Sequence, residues 1–541
     1  MAVQYQYSVL VDEMKTFDTT NGWDVIVSYD EGKINNLLKT AQGHGPTQFP
    51  DLEVEAYDPF TGEMVKTVYK LKVSNPVLQF HSDLRSADLE YDLSGNFGPK
   101  STSVPPNTKM TLGVAVANLE GVVSTDVGDS GFKPNEGQVH PQPGERYKQA
   151  PNYVVKIGES VTRGICLVFR DTTVKVTNPS TDPIVKGIVN RLSGDIPIAT
   201  ADHLHKSTYY YFIAGVGAPP PQVRDSTMVT LQPKSVCFTL LAGDTQLKLP
   251  GALIMWIGVE GGNYNGQEPG GSSSPTFHPD TLNVNPIPLE NTASIIFSHD
   301  LIAREFIKKA LEDRFDEVQI LSRKGEEGMK FSGKMRNKRI YIPTRNDKTE
   351  NAVGFVLDYF EGVDFTPNMP ETTIKISPTT GTSNTDSSSI TLTYKSDVKK
   401  VKWTRSRFDG QSYSNKSGDV NLQFGLNGVG WWEGGDRNQI HLNFRRNNDI
   451  RVDASAEKPP WWAPAGSGQL PSHYKKLTMT LDLDIAIGSL DYFLTTNLLF
   501  PGQHVFIADS PTPDADNNHG LAVPRDLILT GQITDKLTQQ E

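Results

Sequence analysis

The chain has 541 residues, more than one hydrophobic core usually organises, so two or more domains are expected, each able to bury a sizeable core. Its 63 acidic residues outnumber 52 basic ones, and the net charge of −11 argues against bulk attraction to nucleic acid or to an anionic membrane. Two cysteines, Cys166 and Cys237, exclude a disulfide framework and a cysteine-rich metal site, while a single bridge between them stays open.

The N-terminal run Met1 to Tyr7 lacks a basic region followed by an apolar core, and no later stretch is apolar enough for long enough to cross a bilayer. The expectation is a soluble protein of cytoplasmic synthesis, with any release independent of a cleaved signal peptide. Asn21-Gly22 then marks a turn, Val25 to Ser28 favours a strand, and Asp30 can cap a helix burying Ile34, Leu37, Leu38 and Ala41. Leu52, Val54 and Ala56 alternate with Glu53 and Glu55. After the turn Asp58 to Gly62, Val65 to Val73 alternates with Lys66, Lys70 and Lys72, predicting a hairpin with acid facing base.

Gly128-Asp129-Ser130-Gly131 echoes the nucleophile box of trypsin-like proteases, but it stands alone, without an Ala-Ala-His-Cys element before it, and reads as a turn. A helix is predicted from Pro183, with Ile184, Val185, Ile188, Val189 and Leu192 as its stripe and Gly194 as its stop. Asp202, His203 and His205 have ligand chemistry but no recognised spacing; in a strand or loop the two histidines could face one way, and a structural role is favoured. The glycine- and serine-rich run Gly261 to Pro275 reads as a loop or linker, and a domain boundary is placed after it, giving domains 1–290 and 291–541.

Another helix is predicted from His299 to Asp313, capped by Ser298, with Leu301, Ile302, Phe306, Ala310 and Leu311 inward and a Glu305 to Lys309 pair outside. Gly328 to Met335 nearly spells a phosphate-binding loop, but Met335 stands where that loop needs Ser or Thr, and a hairpin with the strand-like Arg336 to Ile342 is preferred. Lys399, Lys400, Lys402, Arg405 and Arg407 gather around Trp403, and Lys330, Lys334, Arg336, Lys338 and Arg339 lie earlier. Both are candidate contacts for phosphorylated lipid headgroups, against the plainer reading of a solvated strand face. Trp431-Trp432 among glycines and Trp461-Trp462 among prolines suggest loops, whose rings could line a cavity mouth or settle at a membrane interface; the plainer reading packs them inside. The longest alternation, Leu477 to Ile487, suits a wide, curved sheet.

The box Asn21-Gly22-Trp23-Asp24, followed by a hydrophobic strand and a helix bearing Asn35 and Asn36, resembles the P-forty-seven proteins encoded beside clostridial neurotoxins. These are relatives of the OrfX proteins in the tubular lipid-binding (TULIP) superfamily. Near the other end, Asn497 to Gly502, with Pro501 and Gly502, and Pro524 to Gly531, with Asp526 and Gly531, look like that family's closing segments. The resemblance implies a β-rich α+β fold of TULIP type, with long, strongly curved antiparallel sheets wrapped around amphipathic helices. It also implies non-enzymatic binding of a lipid or another hydrophobic ligand, or service as an accessory protein in a toxin-associated assembly; the basic clusters add a phosphoinositide to the candidate ligands, and no cofactor is expected. The alternative is a structural protein that assembles with other proteins of its locus and binds no lipid.

Overall fold

The computed structural model describes residues 3–40, 51–57, 62–81, 85–120, 132–133, 155–156, 162–206, 210–217, 230–263 except 245, 277 and 284–321 except 314. It also describes stretches within 329–456, 484–509 and 521–534. The architecture is β-rich α+β with a strongly curled, half-barrel antiparallel sheet.

Two compact units emerge. The first comprises Met1–Ser298 with Gly488–Ser510 and Ile528–Glu541; the second comprises His299–Ile487 with Pro511–Leu527. A single cut at 290/291 would assign the last strand to the second unit. Sheet pairing instead joins that strand to the first.

In the first unit, α1 spans Tyr7–Glu13, β1 Val25–Asp30, α2 Glu31–Thr40, β2 Leu52–Tyr57, β3 Met64–Phe80, β4 Ser86–Phe97 and β5 Lys109–Glu120. Then come β6 Thr162–Thr177, α3 Pro183–Lys206, β7 Tyr210–Gly217, β8 Pro233–Leu241, β9 Ala252–Val259 and β10 Ala293–Phe297. One antiparallel sheet runs in the order β7-β6-β5-β4-β3-β2. A second has the order β10-β1-β9-β8, extended beyond β10 by β12, Leu527–Thr534, and then β11, Val505–Ala508. The predicted hairpin is β2 and β3: Glu55 lies opposite Lys66, and Lys66 is ion-paired with Glu53.

The second sheet is buried on both faces. Every residue of β1, β9 and β10 is buried, which is why these strands read as continuous apolar runs rather than alternations. Tyr29 of β1 meets Phe500 edge to face, with ring centroids 5.1 Å apart. In the first sheet buried and less buried residues alternate along much of β3, β4 and β5, where Leu78, Leu89 and Leu112 line up across the three strands. A bulge between Ser74 and Val77 switches β3 from burying Tyr69 and Leu71 to burying Leu78 and Phe80. Cys166 on β6 and Cys237 on β8 lie in different sheets; both thiols are buried and free, so the open bridge is not formed.

In the second unit, one antiparallel sheet contains Phe315–Ile320, Met329–Met335, Asn368–Ser377, Ser389–Lys395, Tyr413–Gly435, Lys399–Phe408, Gly354–Phe360 and Arg345–Asn351, in that spatial order. The near-phosphate loop is therefore a strand. Its predicted partner, Ile340–Ile342, pairs with Val363–Phe365 instead, so the two strands form no hairpin with each other. The helix α4, His299–Glu312, has a π-helical middle at Ile302–Lys308 and carries the expected Glu305–Lys309 ion pair. Of the long alternation at 477–487, Asp484–Ala486 is a described strand; the rest lies outside the described residues.

Candidate functional site

In the first unit, α3 and the strands beneath it bring several polar side chains together among the described residues. Asp182 starts the helix, accepting the Ile184 N–H at 2.8 Å, and Pro183 takes the first helical position. The helix does not stop at Gly194. It runs through Pro197 to Lys206, because Ile196 and Thr200 continue the buried stripe of Val189 and Leu192. The hydroxyl of Thr200 donates to the Ile196 carbonyl at 2.7 Å, one turn back. Asp202, His203 and His205 thus lie within a helix rather than in a strand or loop.

α3 packs on β6 and β2. Polar contacts fasten its edge. The Tyr69 hydroxyl bonds the Asp195 carboxylate, the Arg191 guanidinium donates to Thr67 Oγ1 at 3.0 Å, and the Ser193 hydroxyl donates to the Val176 carbonyl at 2.9 Å. Arg191 also lies over the Phe97 ring, 5.6 Å from its centroid, and Phe97 stacks on Tyr69 at 5.3 Å. Burial and the neighbouring carboxylate push the Tyr69 phenol well above its ordinary range, so it stays a donor. Outward, α3 shows Ile184, 75% exposed, and Ile198, 68% exposed. This clamp escaped the sequence: the available signal was the four-residue step from Arg191 to Asp195, which straddles the predicted stop.

The motif residues at the two ends have structural surroundings. Asn21 and Gly22 both adopt left-handed backbone, with φ of 49° and 80°, and the turn closes with Trp23 N–H donating to the Thr20 carbonyl at 2.8 Å. Asp24 is buried and accepts the Val259 N–H at 2.9 Å, tying the start of β1 to the end of β9. Asp526 accepts the His299 N–H at 2.8 Å and so satisfies a donor at the start of α4. Gly531 permits close strand contact: a Cβ there would stand 2.1 Å from the Ile507 carbonyl oxygen. Asn497 donates to the Gly217 carbonyl at 2.8 Å. Pro501 and Gly502 lie outside the described residues.

A pair of buried acids went unremarked in the sequence beyond a capping role for Asp30. Desolvation raises Asp30 to about 6 against backbone N–H bonds from Lys33 and Gly32. It raises Glu31 to about 7, with the charge of Asp30 adding to the rise and N–H bonds from Phe80 and Gly251 opposing it. Each carboxylate is engaged with backbone amides.

The remaining site expectations concern the second unit. Trp431 and Trp432 fall in the strand Tyr413–Gly435, opposite Asn443 and Leu442, rather than on a loop. Trp461 and Trp462 lie outside the described residues, as does Gly128 to Gly131. Trp403 pairs with Phe360 in the strand Lys399–Phe408. Strand alternation separates the bases around it, placing Lys400 and Lys402 on one face and Arg405 and Arg407 on the other. Arg405 is engaged by a two-pronged bond to Asp358, at 2.6 and 2.7 Å, whereas Lys400, Lys402 and Arg407 are exposed.

Neither a protein family nor a curated protein matches the chain by sequence. By structure it is similar to P47 from Clostridium botulinum A2, at 9% identity and a TM-score of 0.45, over 96% of this chain and 99% of that one. P47 of Clostridium botulinum E1 gives the same identity and TM-score over 95% and 99%. A lipopolysaccharide binding protein gives 7% identity and a TM-score of 0.22 over 95% and 99%.

Proposed function

We propose that the protein binds a lipid or another hydrophobic molecule without converting it, held in the apolar layer between α3 and the curled sheet of the first unit. What supports this reading is the buried apolar lining that the curled sheet and α3 each contribute to the first unit. Leu78, Leu89 and Leu112 run across three strands, and α3 adds Val189, Leu192 and Ile196. Apolar surface of this kind drives the uptake of apolar ligands. The polar groups beside it, Tyr69, Asp195 and Arg191, are engaged with one another or with Thr67, which fits a clamp better than a catalytic centre.

The motif resemblance supports a finer reading, that of an accessory protein from a toxin-associated locus. Of the bases around Trp403, the exposed Lys400 and Lys402 share a face and are the best placed for an acidic headgroup such as a phosphoinositide.

Native mass spectrometry of the purified chain, followed by solvent extraction and lipid analysis, tests the proposal. Co-purifying lipid at defined stoichiometry is the expected result. A bare protein that also ignores phosphoinositide vesicles would overturn it and leave assembly with other proteins of its locus as the better account.

A further inference from the structure

The junction of β1 and α2 carries an arrangement that ligand binding does not require. β4 lines one edge of β3 from Tyr69 to Phe80, but β2 covers its other edge only from Met64 to Tyr69. Farther along, at Leu78 and Phe80, that second edge is closed by side chains of α2 one helical turn apart. Asn35 Nδ2 donates to the Leu78 carbonyl at 2.9 Å while its Oδ1 accepts the Leu78 N–H at 2.5 Å, and Glu31 Oε2 accepts the Phe80 N–H at 2.7 Å. The helix thus takes the place of a strand. Its N-terminus is pinned as well: Glu31 N–H donates to the Gly251 carbonyl at 2.9 Å, and Asp30 N–H to the Thr292 carbonyl at 2.9 Å.

We propose that Asp30 and Glu31 form a proton-operated latch. With the pair protonated, α2 closes the edge of β3 at Leu78 and Phe80; with both acids ionised, α2 releases that edge and exposes its amide and carbonyl groups to another strand.

The physical reason is the crowding of two adjacent carboxyls in one buried site. Among the described residues, no cation figures in the interactions that act on them. β3 contributes the Phe80 amide, the turn before β9 contributes the Gly251 backbone, and α2 contributes the Lys33 and Gly32 amides. Asp30 in turn acts on Tyr29, which also faces Tyr211 of β7. His81, the titratable residue next along β3, is paired with Asp88 at 3.3 Å. Ionising the second acid therefore places a like charge beside the first in a desolvated site, at the point that fastens the helix to the strand. A released edge is a template for strand addition.

Hydrogen exchange of the full chain, read by mass spectrometry on peptides spanning residues 76–82 and corrected for intrinsic rates, tests the latch. Between about pH 6 and about pH 8, protection at Leu78 and Phe80 should fall about tenfold while protection of β9 holds. Glu31→Gln should abolish the fall. A wild-type protein with constant protection, or a Glu31→Gln protein with an undiminished fall, would overturn the proposal. Should Glu31→Gln fail to fold, Asp30→Asn serves: without the neighbouring charge the Glu31 transition should move to lower pH, and an unmoved transition would equally overturn the latch.

Discussion

Asn35 and Leu78 exchange two hydrogen bonds across helix and strand, the side-chain amide of one matching the peptide group of the other. Asn35→Ala removes both partners from a partly buried peptide group and should cost ~1–3 kcal/mol of stability. The neighbouring Asn36 is exposed, so Asn36→Ala should stay within about 0.5 kcal/mol. Urea unfolding of the two variants distinguishes them through the midpoint at unchanged slope.

Asp30 and Glu31 also set a stability profile. Their folded-state values, about 6 and about 7, lie above those of ordinary carboxyls, so the folded chain holds protons that the unfolded chain has lost. Stability contributed by the pair is complete below about pH 4 and is lost as pH rises through about 6 and about 7. Each displacement corresponds to ~3 kcal/mol at most. Melting temperatures of wild type and Glu31→Gln, followed from about pH 4.5 to about pH 8, should converge differently: the variant loses the part of the decline owed to Glu31, and parallel curves would remove Glu31 from the account.

Two glycines should respond unequally. Gly22 has open space where a Cβ would go, so Gly22→Ala carries the left-handed backbone cost alone, about 1 kcal/mol. Gly531→Ala would drive a methyl into the Ile507 carbonyl and should cost ~3 kcal/mol, with the β11–β12 pairing the first contact to loosen. Thermal denaturation of the pair gives the order directly.

Tyr69→Phe removes the donor to Asp195 and leaves the ring stacked on Phe97. A loss of ~1 kcal/mol and faster hydrogen exchange along α3 are expected. In a vesicle-transfer assay the same variant should release bound lipid faster at unchanged stoichiometry, since the apolar layer is intact.

What the sequence made legible was local. Asn21-Gly22, the alternation of β2 and β3, the Pro183 start and the Glu305–Lys309 pair each follow from neighbours in the chain. What it hid depends on distant partners. Gly194 reads as a stop because glycine costs a helix stability, yet the surface of β6 holds Ile196 and Thr200 in place and outweighs that cost. Trp431 and Trp432 read as loop residues because glycines flank them, yet Tyr413–Gly435 pairs with other strands on both sides. Glu31 looks like an ordinary first-turn acid, and its carboxylate finds its partners in backbone far along the chain, at Phe80 of β3 and at Gly251.

The pairing of β10 with β12 has a consequence for biosynthesis. The first unit's second sheet has its interior strand β1 in place within the opening residues, but its neighbour β10 gains a partner on the far side only when Leu527–Thr534 has left the ribosome. From its own synthesis until then, β10 is an apolar strand with one open edge, the kind of surface that chaperones hold and that nascent chains exchange with one another. A chain ended after Ser298 should be captured by holdase chaperones or aggregate, and supplying Val505–Thr534 in trans should rescue it.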